Sequence, residues 1–352
     1  MKSVTVPFFI SHQGCLHNCI FCDQRIISGA FGQLPTGYEI IDKVRTWQRS
    51  AGHCTLDVAF FGGTFTALAV DMQEQLLGPL QPLLAAGEIN SVRISTRPDC
   101  INADHVGWLT ERGVRIIELG VQSMDNNVLA AAGRGHDAAA SDAAIRCVSK
   151  HGLSVGAQLM PGLPGDTPAN SLRSLECVMA AGADFVRIYP ALVLRGTELA
   201  RRFEAGEYSP LSLDKGISLC KVLLHTALKA GVGVVRIGLQ ADEGLNSGSV
   251  KAGCYHPAFG QLVRSELYYD LLCLLAADLP DAAPFSIRCH PSRISDVIGQ
   301  GRVNLIRLSK KCRELEVKPD VSLLQEELAV QCLDQRIKGH IVSDLHFNIN
   351  EV

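Results

Sequence analysis

Two patterns of apolar and polar residues follow each other along the first two thirds of the chain. Short apolar runs, as in buried strands, are separated by longer stretches whose apolar residues recur at helical spacing. The predicted strands are 4–10, 56–61, 91–95, 115–120, 153–160 and 184–190. The predicted helices are 38–49, 71–85, 102–112, 139–151 and 168–181. This alternation predicts a parallel sheet covered by helices, with fewer units than the eight of a closed barrel.

The pattern changes after the sixth unit. A long helix is predicted over 212–230, followed by a strand over 231–239 and a polar, glycine-rich loop over 241–260. The last part predicts, in order, a strand, a helix, a turn, a helix and a strand, at 285–289, 292–298, 299–302, 303–313 and 315–318. Turn residues near 279–284 mark a boundary. We predict a sheet domain, an extension of loop and helix that covers the active site, and a small C-terminal α/β domain, over 1–240, 241–284 and 285–352.

Composition narrows the class of protein. The 352 residues, of which 47% are hydrophobic, suffice for one large and one small domain at roughly 100–200 residues per domain. The net charge of −3 gives no global basic field for nucleic acid, although a local patch stays open. No apolar run approaches the roughly 20 residues needed to cross a bilayer, so we expect no membrane partner. Most of the thirteen cysteines are scattered singly in apolar segments, which favours reduced thiols and a cytoplasmic protein.

Three cysteines are clustered directly after the first predicted strand. Cys15, Cys19 and Cys22 have the spacing C-x3-C-x2-C. A structural zinc ion takes four ligands, and His17 is a poor fourth because it lies between the first two in sequence. An iron–sulfur cluster held by three thiolates would keep one iron open for a small molecule. The motif therefore favours such a cluster, with a zinc site and purely structural cysteines as alternatives.

This motif, with Phe21 before its last cysteine, resembles that of the radical S-adenosylmethionine (SAM) superfamily. The resemblance implies a partial (βα)6 barrel similar to a TIM barrel, with a [4Fe-4S] cluster on Cys15, Cys19 and Cys22. It also implies that SAM chelates the open iron through its methionyl amine and carboxylate. A reductant of the flavodoxin or ferredoxin type would supply the electron that cleaves SAM. The resulting 5′-deoxyadenosyl radical would abstract a hydrogen from the substrate.

Further segments narrow the resemblance. Residues 93–99, 118–137 and 156–171 are similar to the radical-SAM domain of Elongator subunit 3 and its shorter bacterial relatives. Oxygen-independent coproporphyrinogen oxidases are more distant. The full Elongator protein pairs this domain with an acetyltransferase domain, and together they modify the wobble uridine of tRNA. Because no acetyltransferase-sized region follows within the 352 residues, we expect a protein that lacks that domain.

The likeness also implies which residues contact SAM. These are Gly62, Gly63, Ser95, Arg97, Gln122, Arg134 and Gln158. The glycines let the backbone approach a ligand, an arginine can pair with the carboxylate, and the glutamines can bind ribose hydroxyls. Several of these positions have a purely structural alternative. The glycines could simply form a turn, Ser95 could be an ordinary strand residue, Arg97 could form a local ion pair, and Gln158 could satisfy a buried backbone group. Coproporphyrinogen oxidases have carboxylates where Ser95 and Gln158 align, which disfavours a porphyrin substrate.

The predicted C-terminal domain suggests a partner. Its strand–helix–loop–helix–strand order, with the loop Gly299-Gln300-Gly301-Arg302, resembles a KH domain, although the second glycine falls one position early. The stretch 285–318 is rich in cations, namely Arg288, Arg293, Arg302, Arg307, Lys310, Lys311, Arg313 and Lys318. We therefore expect RNA, and tRNA in particular, to bind through 285–318. The alternative is an ordinary solvated surface.

Four further potential metal ligands have no assigned role. Cys254, His256, Cys289 and His290 could together bind a second metal. Their spacing is tight for zinc, and His256 with Tyr255 and Tyr189 could instead line the substrate cavity.

The sequence thus predicts a radical-SAM enzyme that modifies RNA, with no catalytic residue assigned for the substrate. Two alternatives are a radical-SAM enzyme acting on a small molecule such as a tetrapyrrole, and a non-enzymatic cluster- or SAM-binding protein associated with RNA.

Overall fold

A computed structural model describes residues 3–15, 19–23, 33–52, 54–239, 248–277, 279–280, 283–312 and 314–352. The chain forms two compact units. The first unit consists of Met1–Leu211 with Gln240–Gly253, and the second of Ser212–Leu239 with Cys254–Val352. These two units have different bounds from the three domains predicted from the sequence, over 1–240, 241–284 and 285–352. Those domains stay a sequence-based prediction.

Six parallel strands form the sheet of the first unit. They are β1 (Ser3–Phe9), β2 (Thr55–Phe61), β3 (Ser91–Thr96), β4 (Val114–Gln122), β5 (Ser154–Leu159) and β6 (Phe185–Ile188). Each strand pairs with the next one in the sequence. Because all six run in the same direction, their carboxyl ends meet at one edge of the sheet, which we call the carboxyl edge. The predicted α/β fold with a partial (βα)6 barrel is confirmed.

Helices connect these strands. They are α1 (Gly37–Ala51), α2 (Val70–Leu77), α3 (Gln81–Ala85), α4 (Ala103–Glu111), α5 (Asn126–Ala131), α6 (Ala138–Lys150), α7 (Pro168–Ala181) and α8 (Glu198–Glu204). Local signals set their ends: α7 begins after Thr167, whose side chain accepts a hydrogen bond from the Asn170 amide, and has proline at its first position. A short antiparallel pair joins Val193–Leu194 to Val250–Ala252.

The sheet separates an apolar face from a polar one. Toward the helices, Phe8 and Phe60 stack with ring centroids 5.6 Å apart, and the Lys43 ammonium of α1 lies 4.8 Å from the Phe8 centroid. Side chains alternate along a strand, so the next residues point to the opposite face. That inner face carries one residue from each of β2 to β6, namely Phe61, Arg93, Glu118, Gln158 and Arg187. Charged residues on otherwise apolar strands therefore converge on the inner face.

The second unit contains the remaining elements. They are α9 (Leu213–Lys229), β7 (Gly233–Ile237), α10 (Phe259–Ala276), β8 (Pro284–Cys289), α11 (Ile294–Ile298), α12 (Val303–Leu308), β9 (Glu314–Pro319), β10 (Glu327–Cys332) and β11 (Gln335–His340). Strands β8 to β11 form a sheet in the order β9-β8-β10-β11, with β8 and β9 parallel and the other pairs antiparallel. The predicted small C-terminal α/β fold is confirmed.

Some details of the second unit differ from the sequence-based prediction. Both helices around the glycine-containing turn are shorter than predicted, and the hairpin of β10 and β11 was not anticipated. Within the described part of the chain, no helix combines the length and the apolar character that crossing a bilayer requires.

Candidate functional site

The first cysteine lies in a loop that packs backbone to backbone against the loop after β2. The His12 amide donates to the Gly62 carbonyl at 3.0 Å, and the Thr64 amide donates to the Gln13 carbonyl at 2.9 Å. A Cβ atom on Gly63 would lie 2.5 Å from the carbonyl oxygens of Gln13 and of Ile10. Gly63 is therefore a glycine because the cysteine loop approaches it closely. The same contact places Cys15 Sγ 3.5 Å from Thr64 Oγ1.

The other two cysteines are held by the apolar residues between them. Ile20 and Phe21 are buried in a cluster of apolar side chains that includes Val128 and Leu199. The Ile20 amide donates to the Ala132 carbonyl, and the Ile20 carbonyl accepts from the Leu199 amide at 2.8 Å. Burial of Ile20 and Phe21 thus fixes the turn on which the flanking Cys19 and Cys22 are carried.

Arg134 links this turn to β4. It lies in the connection between α5 and α6, flanked by Gly133 and Gly135, which both have positive φ. Its Nη1 donates to Cys19 Sγ at 3.1 Å, and its Nη2 donates to the Gly120 carbonyl. The residue predicted to contact SAM is therefore also a direct neighbour of a predicted cluster ligand.

Arg97 follows β3 and is engaged locally. Its Nε and Nη2 donate to the two carboxylate oxygens of Asp99 at 2.9 and 2.8 Å. Desolvation lowers the pKa of Arg97, but the hydrogen bond and the charge of Asp99 outweigh it, so the pKa is raised. The local ion pair considered from the sequence is present, and Arg97 remains a predicted SAM contact. Its buried Nη1 has no hydrogen-bond partner among the described residues.

The two predicted glutamines are in contact, whereas Ser95 is separate from them. Gln158 Nε2 donates to Gln122 Oε1 at 3.2 Å. Gln122 occupies an irregular position of β4, with a φ of +69° and its carbonyl accepting from the Met160 amide. Ser95 pairs in register with Glu118, below the carboxyl edge. The carboxyl edge therefore brings the glutamines together, and the polar groups they present suit a hydroxylated ligand.

The cysteine side chains fit an iron–sulfur cluster by their chemistry. All thirteen cysteines lie within the described residues, and none of them forms a disulfide bond. Among the residues that the structure describes, no three His, Cys, Asp or Glu side chains are gathered as metal ligands, and this includes Cys15, Cys19 and Cys22. Their loop nonetheless supplies three soft donors beside the cation Arg134, which suits thiolate ligands of iron. The buried Arg134 Nε, like Arg97 Nη1, has no partner among the described residues, which suits an anionic carboxylate nearby.

A charged network on the inner face was missed by the sequence analysis. Glu118 accepts from Arg93 Nη1 at 2.8 Å and pairs with Arg187 Nε at 2.6 Å. Arg187 Nη1 also donates to the Tyr189 hydroxyl at 3.0 Å. The signal in the sequence is a charged residue within each of the otherwise apolar strands β3, β4 and β6. We call Arg93, Glu118, Arg187 and Tyr189 the inner-face network.

The second predicted metal constellation is not gathered. Burial raises the pKa of Cys254 and that of Cys289 to about 11, so both thiols are protonated at neutral pH. His256 Nδ1 accepts from the Ala258 amide, and His290 Nδ1 accepts from the Ser292 amide. No metal-ligand group that contains them occurs among the described residues. The two cysteines are therefore buried core residues, and the two histidines bond within their own turns.

Half of the eight cations of the stretch 285–318 already have partners. Arg307 forms two hydrogen bonds with Glu266 and stacks 3.4 Å above the Tyr269 ring. Lys318 pairs with Glu316, Arg293 with Asp296 and Gln325, and Lys311 donates to the Ala277 carbonyl. Arg288, Arg302 and Lys310 have no ion pair with any residue the structure describes, and Arg313 lies outside the described residues. The charge available to a partner is thus smaller than the sequence suggested.

The turn at the centre of this stretch has an unusual backbone. Gly299, Gly301 and Arg302 all have positive φ, at +77°, +60° and +64°. The buried Asn304 holds the turn, since its Nδ2 lies 2.9 Å from the carbonyl and the hydroxyl oxygens of Ser265. The predicted loop between two helices is therefore held by Asn304 of α12 and its hydrogen bonds to Ser265 of α10, and Arg302 is exposed on it.

Comparison with known proteins defines the class. Residues 9–176 match the Radical SAM superfamily, and residues 183–269 match the Radical_SAM C-terminal domain. The chain belongs to the radical SAM superfamily, as the cysteine motif predicted.

Two curated proteins show what this chain is similar to within the superfamily. An uncharacterised protein of Methanocaldococcus jannaschii is 31% identical over 225 residues, which cover 60% of this chain and 69% of that protein. The tRNA uridine(34) acetyltransferase of the same organism is 28% identical over 255 residues, covering 61% of this chain and 47% of the relative. This chain therefore spans about half the length of that acetyltransferase.

A solved structure agrees on the fold. The archaeal Elp3 of Methanocaldococcus infernus, lacking its N-terminal residues, superimposes with a TM-score of 0.62 and 22% identity. The match covers 77% of this chain and 64% of that one. The likeness to Elongator subunit 3 inferred from the sequence is confirmed.

Proposed function

We propose that this chain is an enzyme that binds a [4Fe-4S] cluster at Cys15, Cys19 and Cys22 and uses SAM to modify an RNA, with tRNA as the substrate class. The observation that carries this is the placement of three reduced cysteines at the carboxyl edge, with Arg134 donating to Cys19. When bound, the cluster and SAM supply a 5′-deoxyadenosyl radical that abstracts hydrogen from the substrate. The protein holds and orients these groups.

The protein's own residues have separable tasks in this proposal. Gly62 and Gly63 let the cysteine loop rest on the β2 loop, so backbone atoms line the place of the SAM amine. Arg134, and Arg97 through its buried Nη1, bind the carboxylate of SAM. Gln122 and Gln158, in mutual contact, orient the ribose hydroxyls, and Ser95 completes the predicted set. The buried apolar cluster behind Phe21 excludes water from one side of the loop.

RNA is the proposed substrate because two independent features agree. One relative is a tRNA uridine(34) acetyltransferase, and it matches this chain over 255 residues. The other feature is the exposed turn of the second unit, which carries Arg302 beside two glycines of positive φ. Cations on an exposed turn suit a phosphate backbone. We further propose a reductant of the flavodoxin or ferredoxin type as the electron donor.

The test is SAM cleavage followed by analysis of RNA. Protein purified without oxygen and reconstituted with iron and sulfide is mixed with dithionite, SAM and tRNA. We expect 5′-deoxyadenosine to accumulate and mass spectrometry of the tRNA nucleosides to show a new product. Alanine at Cys15, Cys19 or Cys22 should abolish both. Cys147→Ala, at a free and partly buried thiol on α6, is the matched control and should retain both.

Two results would contradict the proposal at different levels. Absence of 5′-deoxyadenosine despite a full complement of iron would leave a binding protein instead of an enzyme. Formation of 5′-deoxyadenosine without any change in the nucleosides of tRNA, and with a small-molecule product instead, would remove RNA as the substrate.

A further inference from the structure

The inner-face network carries more positive than negative charge. Arg93 and Arg187 share one carboxylate, that of Glu118, so the three charged groups sum to one excess positive charge. All three are largely shielded from solvent, with side-chain exposures of 18%, 7% and 16% for Arg93, Glu118 and Arg187. A positive charge withdrawn from water is unfavourable unless a counter-charge approaches it. Within the network, one positive charge is therefore not matched by a carboxylate. The charge of Arg93 also acts on Asp57 of β2, but that carboxylate accepts its hydrogen bonds from Ser3, Asn90 and Ser91.

Two hydrogen-bond donors of the network also lack acceptors. Arg93 Nε is buried and has no partner among the described residues. The Tyr189 hydroxyl accepts from Arg187 Nη1, which leaves its own proton to donate, and the hydrogen bonds of the described residues give that proton no acceptor. A group that accepts hydrogen bonds and carries one negative charge would satisfy both the charge and the donors.

Aromatic rings lie next to these donors. The Arg187 guanidinium carbon is 5.8 Å from the Phe61 ring centroid, and the Arg93 guanidinium carbon is 5.7 Å from that of Phe185. The ring centroids of Phe61 and Phe9 are 6.2 Å apart. Phe9 is 44% exposed although it is a large apolar residue. An exposed ring beside a cationic network suits a ligand that has a flat ring and an oxyanion.

We propose that the inner-face network binds one singly charged oxyanion of the substrate, namely a phosphodiester of RNA, while the nucleobase stacks on Phe9 and Phe61. The assignment of the phosphodiester rests on the proposed RNA substrate. A phosphodiester matches the excess charge, since it carries a single negative charge at neutral pH. Arg93, Arg187 and Tyr189 would be its donors, and Glu118 orients the two guanidinium groups and limits their charge.

The experiment measures binding of a dinucleotide that differs only in its charge. Equilibrium dialysis of the reconstituted full chain compares uridylyl-uridine with its uncharged methylphosphonate analogue, and benzoate provides a carboxylate without a phosphate. We expect the charged dinucleotide to bind about tenfold more tightly than the neutral one. Arg187→Gln should reduce that ratio to about one. Arg146→Gln, at an exposed ion pair on α6, is the control and should leave the ratio unchanged.

A gain-of-affinity variant protects the test against loss of folding. Glu118→Gln raises the excess charge from one to two, so it should tighten binding of the charged dinucleotide about tenfold without affecting the neutral one. A purely structural role for Glu118 predicts no gain. Tyr189→Phe removes a single donor and should weaken binding a few-fold. Melting curves confirm that each variant is folded before its affinity is compared.

Two outcomes would overturn the proposal. Equal binding of both dinucleotides, unchanged in Arg187→Gln and Glu118→Gln, would refute the oxyanion site, while product formation on whole tRNA would leave the proposed function standing. Binding of benzoate with the expected dependence on these variants, without binding of either dinucleotide, would refute the phosphodiester and the RNA substrate with it.

Discussion

A single glycine determines where Arg134 lies. A Cβ atom on Gly120 would be 2.7 Å from Arg134 Nη2 and 3.0 Å from Gln122 Nε2. Gly120→Ala should therefore displace the guanidinium from Cys19 and lower the iron retained after reconstitution by about half or more, measured as iron per chain. We expect the free energy of unfolding to fall by about 1–3 kcal/mol, because the added methyl group overpacks the site.

The control for Gly120 is the same substitution where space is free. A Cβ atom on Gly107, within α4, would meet no atom within 4 Å. Gly107→Ala should retain iron fully and stabilise the protein by up to about 1 kcal/mol, since alanine favours the helix. Equal iron content in the two variants would show that the contact between Arg134 and Cys19 does not matter for the cluster.

His136 gives the structure a defined dependence on pH. Burial, followed by the charge of Arg134, lowers the pKa of His136 from 6.5 to about 4. Its Nδ1 lies 3.2 Å from the Asp137 carbonyl, to which it donates, and its buried Nε2 has no partner among the described residues. The folded state thus holds the neutral imidazole, and the unfolded chain binds a proton more readily.

The consequence is a loss of stability as the pH falls. The contribution of neutral His136 is complete above about pH 6.5 and is lost progressively toward pH 4. His136→Gln cannot bind that proton, so it should flatten the decline by on the order of 2–3 kcal/mol across this window. Urea unfolding at several pH values measures the effect. Parallel curves for the two proteins would show that His136 is not the titrating group.

At the scale of elements, local sequence patterns were sufficient to predict the helices and strands whose structure is determined by neighbouring residues. The six strands of the sheet were predicted within a few residues, and α7 was predicted over 168–181 as observed, because Thr167 and Pro168 mark its start. The predicted glutamines meet, and the cysteine motif lies at the carboxyl edge, because each follows from its position after a parallel strand.

Two elements with weaker patterns were predicted without bounds or not at all. A helix was predicted within the extension over 241–284 without stated ends, and the hairpin of β10 and β11 was not predicted. Helix α10 is buried on several sides, with residues such as Phe259, Leu267 and Leu271 fully covered, so its sequence lacks a clear polar face. The hairpin of β10 and β11 turns at Leu333-Asp334, without the glycine that usually marks such turns. Composition alone gives no strong signal at either place.

The inner-face network shows why site geometry exceeds what the sequence predicts. Arg93, Glu118 and Arg187 lie on β3, β4 and β6, and each alone reads as an unusual charge in an apolar strand. Their contact depends on the register of three strands, and on Gly156 of β5, whose missing side chain makes room for Phe185 and Glu118. Long-range register of this kind is set by packing of the whole sheet.

For the whole molecule, the distribution of charge matters more than its sum. The net charge of −3 offers no general attraction to RNA, and pairing neutralises much of the basic stretch in the second unit. RNA binding must then depend on the few cations that remain available. Such binding should be weak, strongly salt-dependent and sensitive to single substitutions.

Charge reversal at the exposed turn tests this dependence. Arg302 and Lys310 are exposed, and neither forms an ion pair with a described residue. Arg302→Glu and Lys310→Glu should each weaken tRNA binding about three- to tenfold and reduce the slope of log affinity against log salt by about one. Lys150→Glu, at an exposed cation of the first unit, should change neither. Filter binding at several salt concentrations provides both quantities. Unchanged affinity in both variants would contradict RNA binding through 285–318.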